Sequence, residues 1–293
     1  METNKAARTE QIAHSGEAQP GKVMLITPER ILYAGLLGRP MIREFGSLTI
    51  YVSLGNPIHL QLGDGAWRSA DLWVVQPETP HKIAAVDRMI GMYMIEPELI
   101  DMDRLPAFLQ EGNRDTVHPD MLARFRETFH ALIEGRARPG VIRSQLDQFM
   151  LGETLVARRL DPRITAAVEC IKCNPRDASS AEQFAEQADL SFSRFLHLFK
   201  AEVGTTFRRF RAWKRARSFL AYVNTDLNLT DIALEAGYPD SSHFSHTVRR
   251  YWGLTPKDIM AGSRTLAVIT DSEQISATHT LLPEKPYQGL RLS

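Results

Sequence analysis

Gln183-Phe184-Ala185-Glu186-Gln187-Ala188-Asp189-Leu190-Ser191 is followed by Arg194-Phe195-Leu196-His197-Leu198-Phe199 and then Gly204. Asp231-Ile232-Ala233-Leu234-Glu235-Ala236-Gly237-Tyr238 is followed by His243-Phe244-Ser245-His246-Thr247-Val248 and then Gly253. The two stretches say the same thing. Ala185 falls on Ala233 and Ala188 on Ala236, an offset of 48, and Gly204 falls on Gly253. Repeat arrays need about three or more copies to bury their faces, so two copies read as two small modules on one connecting helix.

Each copy predicts a short helix, a tight turn and a second helix that ends at glycine. Small alanines let two helices cross closely, as a helix-turn-helix requires. Ser191 is a candidate N-cap, and Pro239-Asp240-Ser241 supplies cap chemistry for the second copy. Phe195, Leu198 and Phe199 make the inner stripe of one second helix, and Phe244, Val248 and Tyr251 that of the other. Ser193, Arg194, Leu196, His197 and Lys200 then face outward, as do Ser242, His243, Ser245, His246 and Arg249. Between the copies, Phe207, Phe210, Trp213 and Leu220 form an apolar stripe on a helix otherwise filled with arginine and lysine. That basic face is expected to meet phosphates.

The stretch resembles the DNA-binding domain of the AraC/XylS family of transcription regulators. The resemblance covers about the last third of the chain, from near Ile164 to Ile259. Its most telling residues are Ile232-Ala233-Leu234-Glu235-Ala236-Gly237-Tyr238, Ser242-His243-Phe244-Ser245 and Gly253-Leu254-Thr255-Pro256. Tyr238 stands where the family usually has Phe, and Pro239 follows it. Carried over residue by residue, the resemblance implies base reading by Ser193, Leu196 and His197, and by Ser242, His243 and His246. Lys200, Arg249 and Arg250 suit phosphate contacts that fix register. Arg194 and Ser245 complete the expected interface.

The 293-residue chain is long enough for two domains and carries formal net charge +0. Its charge is uneven. Residues 191–260 hold 11 Lys and Arg against 6 Asp and Glu, the footprint of a DNA-binding domain attached to something else. No apolar run is long enough to span a membrane, and no signal pattern opens the chain, so a cytoplasmic protein is expected. Two cysteines fit a reducing compartment. Cys170 and Cys173 cannot complete a four-ligand zinc site.

From Lys22 to Pro97 short strands alternate with turn signals, including Gly63-Asp64-Gly65. This predicts a small antiparallel barrel or sandwich. Asp71-Leu72-Trp73-Val74-Val75, closed by Pro77, Pro80 and His81, resembles the cupin-like sensor domain found ahead of AraC-type units, with Ala70 where a Gly is usual. A metal cupin needs two His one residue apart, a carboxylate and a third His; this region has only His59 and His81. No metal, cofactor, catalytic residue or enzymatic activity is therefore expected. A barrel interior can still hold a small molecule, and Tyr51, Trp67, Trp73, His81 and Tyr93 are the candidate effector-binding residues. Each of them could equally pack the interior.

The expected fold is α+β with two domains: an N-terminal antiparallel β-barrel (cupin-like) with flanking helices, then an all-α domain with two helix-turn-helix units. The expected divisions are a flexible arm at 1–20, the sensor barrel at 21–118, a helical linker or dimerisation region at 119–160, the DNA-binding domain at 161–262 and a tail at 263–293. Within 119–160, helices are predicted over 119–134 and 141–160, broken at Arg136–Gly140. They serve either to pair two subunits or to cover the barrel. Leu266–Ile269 suits a short strand or helix. The leading function is sequence-specific binding to double-stranded operator DNA under a small-molecule effector, with RNA polymerase and a second copy of the chain as further partners. The alternatives are a constitutive DNA binder with a purely assembling N-terminal domain, and a cupin enzyme with a DNA-binding tail. Activation and repression both remain open.

Overall fold

The computed structural model describes residues 21–110, 119–136, 146–264 and 266–270. The expected arm at 1–20, the Arg138–Gly140 break with the start of the second helix, and the tail after residue 270 lie outside the described residues.

The N-terminal half is built from β1 (Val23–Ile26), β2 (Arg30–Leu36), β3 (Leu48–Ser53), β4 (Ile58–Leu62), β5 (Arg68–Ala70), β6 (Leu72–Val75), β7 (His81–Ala85) and β8 (Met89–Ile95). They form two sheets, ordered β6-β3-β8-β2-β1-β9 and β5-β4-β7. The ninth strand, β9 (Ala267–Thr270), returns from beyond the helical domain and pairs parallel with β1. The expected closed barrel is corrected here: the sheets stack as an open sandwich. Closure requires every edge strand to find a partner in register. Among the described residues no ladder joins the three-stranded sheet to the larger one. The isolated bridge from His81 at the start of β7 goes to Arg43, in the segment between β2 and β3.

The larger sheet is buried on both faces. On β3, Tyr51 faces the smaller sheet with Ile58, Trp73 and Ile83. Ile50 and Val52 face the other way, toward Phe125, Phe129 and Met150. Those last residues come from α2 (Pro119–Ile133) and α3 (Leu146–Leu151), which with the short α1 (Ala107–Gln110) cover the outer face. The apolar stripe of α2 is thus consumed by its own sheet. The helix expected to run to 160 stops at Leu151, where Gly152 takes a φ of +82°. Asp147 on α3 fastens the layer, accepting from Arg30 Nε and Nη2 at 2.9 and 2.8 Å and from Tyr93 Oη at 2.5 Å.

The helical half comprises α4 (Pro162–Cys173), α5 (Ala181–Gln187), α6 (Phe192–Val203), α7 (Phe207–Ser218), α8 (Leu229–Glu235), α9 (Ser241–Trp252) and α10 (Pro256–Ser263). Asp161 caps α4, with Pro162 in its first turn. Cys170 and Cys173 on α4 are free and exposed.

Candidate nucleic-acid interface

The duplicated sequence folds into duplicated geometry. Ser180 and Gln183 form a capping box at the start of α5, and Asn228 caps α8. Asp189 and Gly237 occupy the same left-handed turn position, at φ +52° and +76°. Aspartate tolerates that conformation and glycine adopts it freely. The turn bonds match as well: Leu190 N donates to Ala185 O at 2.9 Å, and Tyr238 N to Ala233 O at 2.9 Å. Ser191 then caps α6 and Asp240 caps α9, each accepting from the backbone three residues on. Gly204 and Gly253 stop the two helices.

The inner stripes are sealed. Phe195, Phe199, Phe244 and Val248 have 0% exposure. On the outer side of α6, Ser193, Arg194, His197 and Lys200 are exposed, and Leu196 is half-buried against the unit's core. On α9, Ser242, His243, His246, Arg249 and Arg250 are exposed and Ser245 is half-buried. The His243 ring lies 5.5 Å from Tyr238, which steadies it at the start of the helix. Arg250 Nη2 reaches Glu44 at 3.4 Å, so it is shared with the N-terminal half.

The connecting helix α7 departs from expectation. Its basic face meets protein rather than open solvent. Lys214 Nζ is buried between Glu96 Oε2 at 2.5 Å and Glu98 Oε1 at 2.6 Å. Trp213 Nε1 donates to the same Glu96 oxygen at 2.9 Å. Arg217 Nε stands 2.7 Å from Glu96 Oε1, as an ion pair off the hydrogen-bonding angle. Burial pushes the Glu96 carboxyl up; the adjoining Lys214 and Arg217 charges and the bonds from Lys214 and Trp213 outweigh it, leaving the pKa lowered. Arg209 pairs with Glu78 and Glu44. Arg211 and Arg215 donate to carbonyls at 175, 177 and 179. Arg208 is exposed. No sequence signal finds Glu44, Glu78, Glu96 or Glu98, because their partners lie over a hundred residues away.

The five effector candidates separate. Tyr51, Trp73 and His81 meet in the sandwich interior. Tyr93 faces the helical layer instead, bonded to Asp147. Trp67 is 45% exposed, beyond the β4–β5 turn. His81 is a bonded residue: its Nδ1 donates to Thr79 O at 2.8 Å, which leaves Nε2 to accept from Tyr51 Oη at 2.7 Å. Burial lowers its pKa to about 4, against the opposing Thr79 bond and helped by the Arg43 charge. A separate cleft of about 1060 Å³ lies where the end of α6 meets the N-terminal half, and Glu78, Asp101, Asp103, Arg104, Arg158 and Thr205 line it. Among the described residues no group of three or more His, Cys, Asp or Glu could hold a metal. No described helix is long and apolar enough to cross a membrane.

A protein-family model described as Helix-turn-helix domain matches residues 184–262. The regulator RipA of Corynebacterium glutamicum is 30% identical over 123 residues, 41% of this chain and 36% of that protein. The activator RhaS of Escherichia coli O139:H28 is 34% identical over 89 residues, 29% of this chain and 31% of that one. The chain thus spans about a third of the length of these relatives. ToxT of Vibrio cholerae O395, solved with a naphthalenyl butenoic acid bound, superposes with TM-score 0.54 at 10% identity, covering 80% of this chain and 98% of that one. That likeness is one of fold alone. With both units built alike, and with relatives matching across them, residues 184–262 form a helix-turn-helix domain similar to those of these transcriptional regulators.

Proposed function

We propose that the protein is a sequence-specific DNA-binding regulator of transcription whose N-terminal sandwich takes a small effector. The observation that carries the first part is the pairing of two equivalent helices, α6 and α9, each sealed behind and polar in front. Two such helices suit neighbouring major-groove segments of one duplex, about 34 Å apart on straight DNA and less where the duplex bends. Ser193, Leu196 and His197, with Ser242, His243 and His246, are the proposed base-reading side chains. His and Ser hydrogen-bond base edges, and Leu196 suits a thymine methyl. Lys200 and Arg249 serve as phosphate contacts, with Arg194, Ser245 and Arg250 beside them. Activation from such a site would run through contact with RNA polymerase, whereas repression needs only occupancy of the DNA. A homodimer is compatible with the fold, and its contact lies off the α2 stripe already packed on the sheet.

The effector reading draws on the polar set Tyr51 and His81 placed inside an otherwise apolar sandwich. An effector acts by binding two states of the protein unequally. The test begins with DNA fragments recovered by the full chain from its own genome. His197→Ala should relax preference at one base position, at a cost of about 1–3 kcal/mol for the preferred base. Equal binding of wild type and variant to every single-base version of the recovered site would remove α6 from the interface.

A further inference from the structure

We propose that Arg43 is the ligand receptor of the N-terminal sandwich, and that its ligand is a small monocarboxylic acid with an apolar body. This rests on the effector reading above and gives it a chemistry. Arg43 is only 5% exposed, yet its Nε and Nη2 have no hydrogen-bond partner. Burying a charge without a counter-charge is strongly unfavourable, and arginine does not escape by losing its proton.

The bare edge has a known use in this molecule. Arg30 grips the Asp147 carboxylate through Nε and Nη2 at 2.9 and 2.8 Å. Arg163 grips Asp161 through the same two nitrogens at 3.0 and 2.7 Å. In Arg43 that two-donor edge is buried and empty-handed. A carboxylate matches it in spacing and plane.

The neighbouring polar groups do not supply the missing acceptor. Thr79 O can only accept, so His81 Nδ1 carries the proton and Nε2 takes the Tyr51 hydrogen. Tyr51 and His81 therefore bond each other, and Tyr51 also lies within hydrogen-bonding reach of the Arg43 guanidinium. Nε and Nη2 are still left without an acceptor, and neither neighbour brings negative charge. One cation with a neutral histidine beside it calls for one negative charge. Two residues along the chain stands Phe45, whose ring is 5.7 Å from His81, and it belongs to the apolar interior that also holds Ile83 of β7; that interior suits an apolar body.

Occupancy at Arg43 has a short route outward. Arg43 is backbone-paired with His81, at 2.9 and 3.0 Å. The next residue, Glu44, donates its N–H to Tyr251 O at 3.3 Å and faces Arg209 and Arg250. Phe45 then packs on Trp252 at 5.1 Å. The ligand sits one residue from contacts with α9.

Thermal unfolding of the full chain tests this with acetate, butyrate and phenylacetate, each beside its uncharged amide. At least one acid should raise the wild-type Tm by about 3 °C or more at saturation, with no rise from its amide. Arg43→Met and Arg43→Lys should both abolish the rise, the second because it keeps the charge and loses the two-donor edge. Arg43→Met without ligand should melt at or above wild type, since it removes an unpaired buried charge. No rise with any of the three acids overturns the proposal, and so does a rise that survives both substitutions. A rise from an amide that persists in Arg43→Met overturns it while leaving the broader effector reading standing. Binding of genomic fragments, measured on the same samples, reports the DNA-binding reading separately.

Discussion

The two helix-turn-helix units share a cap, a turn and a stop, and differ in what stands behind them. The first has a core of its own. Phe184, Phe195, Phe199 and Phe207 hold one another at 5.3–6.4 Å between ring centres, backed by Ile164, Val168 and Ile171 of α4. The second has none that is separate. Phe219, Phe244, Val248 and Trp252 run continuously into Tyr51, Trp73 and Ile83 of the sandwich. The division falls within α7: Phe207 and Phe210 belong to the first core, Trp213 and Ala216 to the second. Gly46 permits this, because any side chain there would strike the Trp213 ring. One local pattern thus yields a self-standing module in one place and a limb of another domain in the other. A change inside the sandwich core reaches the second unit directly, and the first through α7 and through the Thr205–Glu78 contact at the end of α6.

Core truncation breaks or upholds that contrast most sharply. Phe199→Ala and Phe244→Ala should each cost about 3–5 kcal/mol, because both rings are fully buried. Their reach should differ. Hydrogen exchange on Phe199→Ala should show faster opening confined to α5 and α6, and on Phe244→Ala opening that spreads into the strands of the sandwich. Equal spread from both would dissolve the distinction.

The buried junction at α7 is next. Lys214→Met leaves Glu96 and Glu98 together without their shared cation, and removing one partner of a buried pair costs about 3–5 kcal/mol. Arg217 and Trp213 still hold Glu96, which places the loss near the lower end. The sign with pH follows from the lowered Glu96 pKa. Its contribution is present in full above the unfolded carboxyl value and is lost as pH falls from there through the lower folded value, so Lys214→Met should flatten the acid limb of a stability–pH profile.

Histidine titration gives a similar magnitude in a different window. His81 is neutral in the fold, with its pKa near 4 against an ordinary 6.5. The unfolded chain binds the extra proton first, so stability should fall by about 3 kcal/mol in total as pH drops from 6.5 to 4. His81→Phe should remove that slope and leave the lower carboxyl limb. The slope should appear in unfolding of the sandwich with the second unit, and be absent where the first unit is followed alone by exchange at α5 and α6.

The units themselves were legible because their signals are local. A cap acts on backbone two or three residues away, a turn needs one left-handed residue, and both recur after 48 or 49 positions. Barrel closure and the fate of the α7 cations were not legible, since each depends on groups far apart in the chain. Lys214 and Glu96 are separated by 118 residues, and nothing near Lys214 distinguishes it from the exposed Arg208. Tyr93 was misplaced for a related reason. β8 is buried on both faces, so alternation cannot tell which side looks into the sandwich. Arg43 carries no motif at all; its interest arises only from a buried edge left without an acceptor.

The smallest effect separates two adjacent arginines at the end of α9. Arg249 is exposed on the outer side, whereas Arg250 also reaches back to Glu44 on the strap that leads to Arg43. Arg249→Ala should weaken binding to all DNA alike and reduce the salt slope by about one. Arg250→Ala should do the same or less to the slope, because an exposed pair of this kind is weak and its cation is already partly neutralised. It should also loosen the tie between the strap and α9, so that any effect of a sandwich ligand on DNA affinity shrinks in Arg250→Ala and stays whole in Arg249→Ala. Coupling that survives both substitutions unchanged would move the route between ligand and DNA away from Glu44 and onto the Phe45–Trp252 contact.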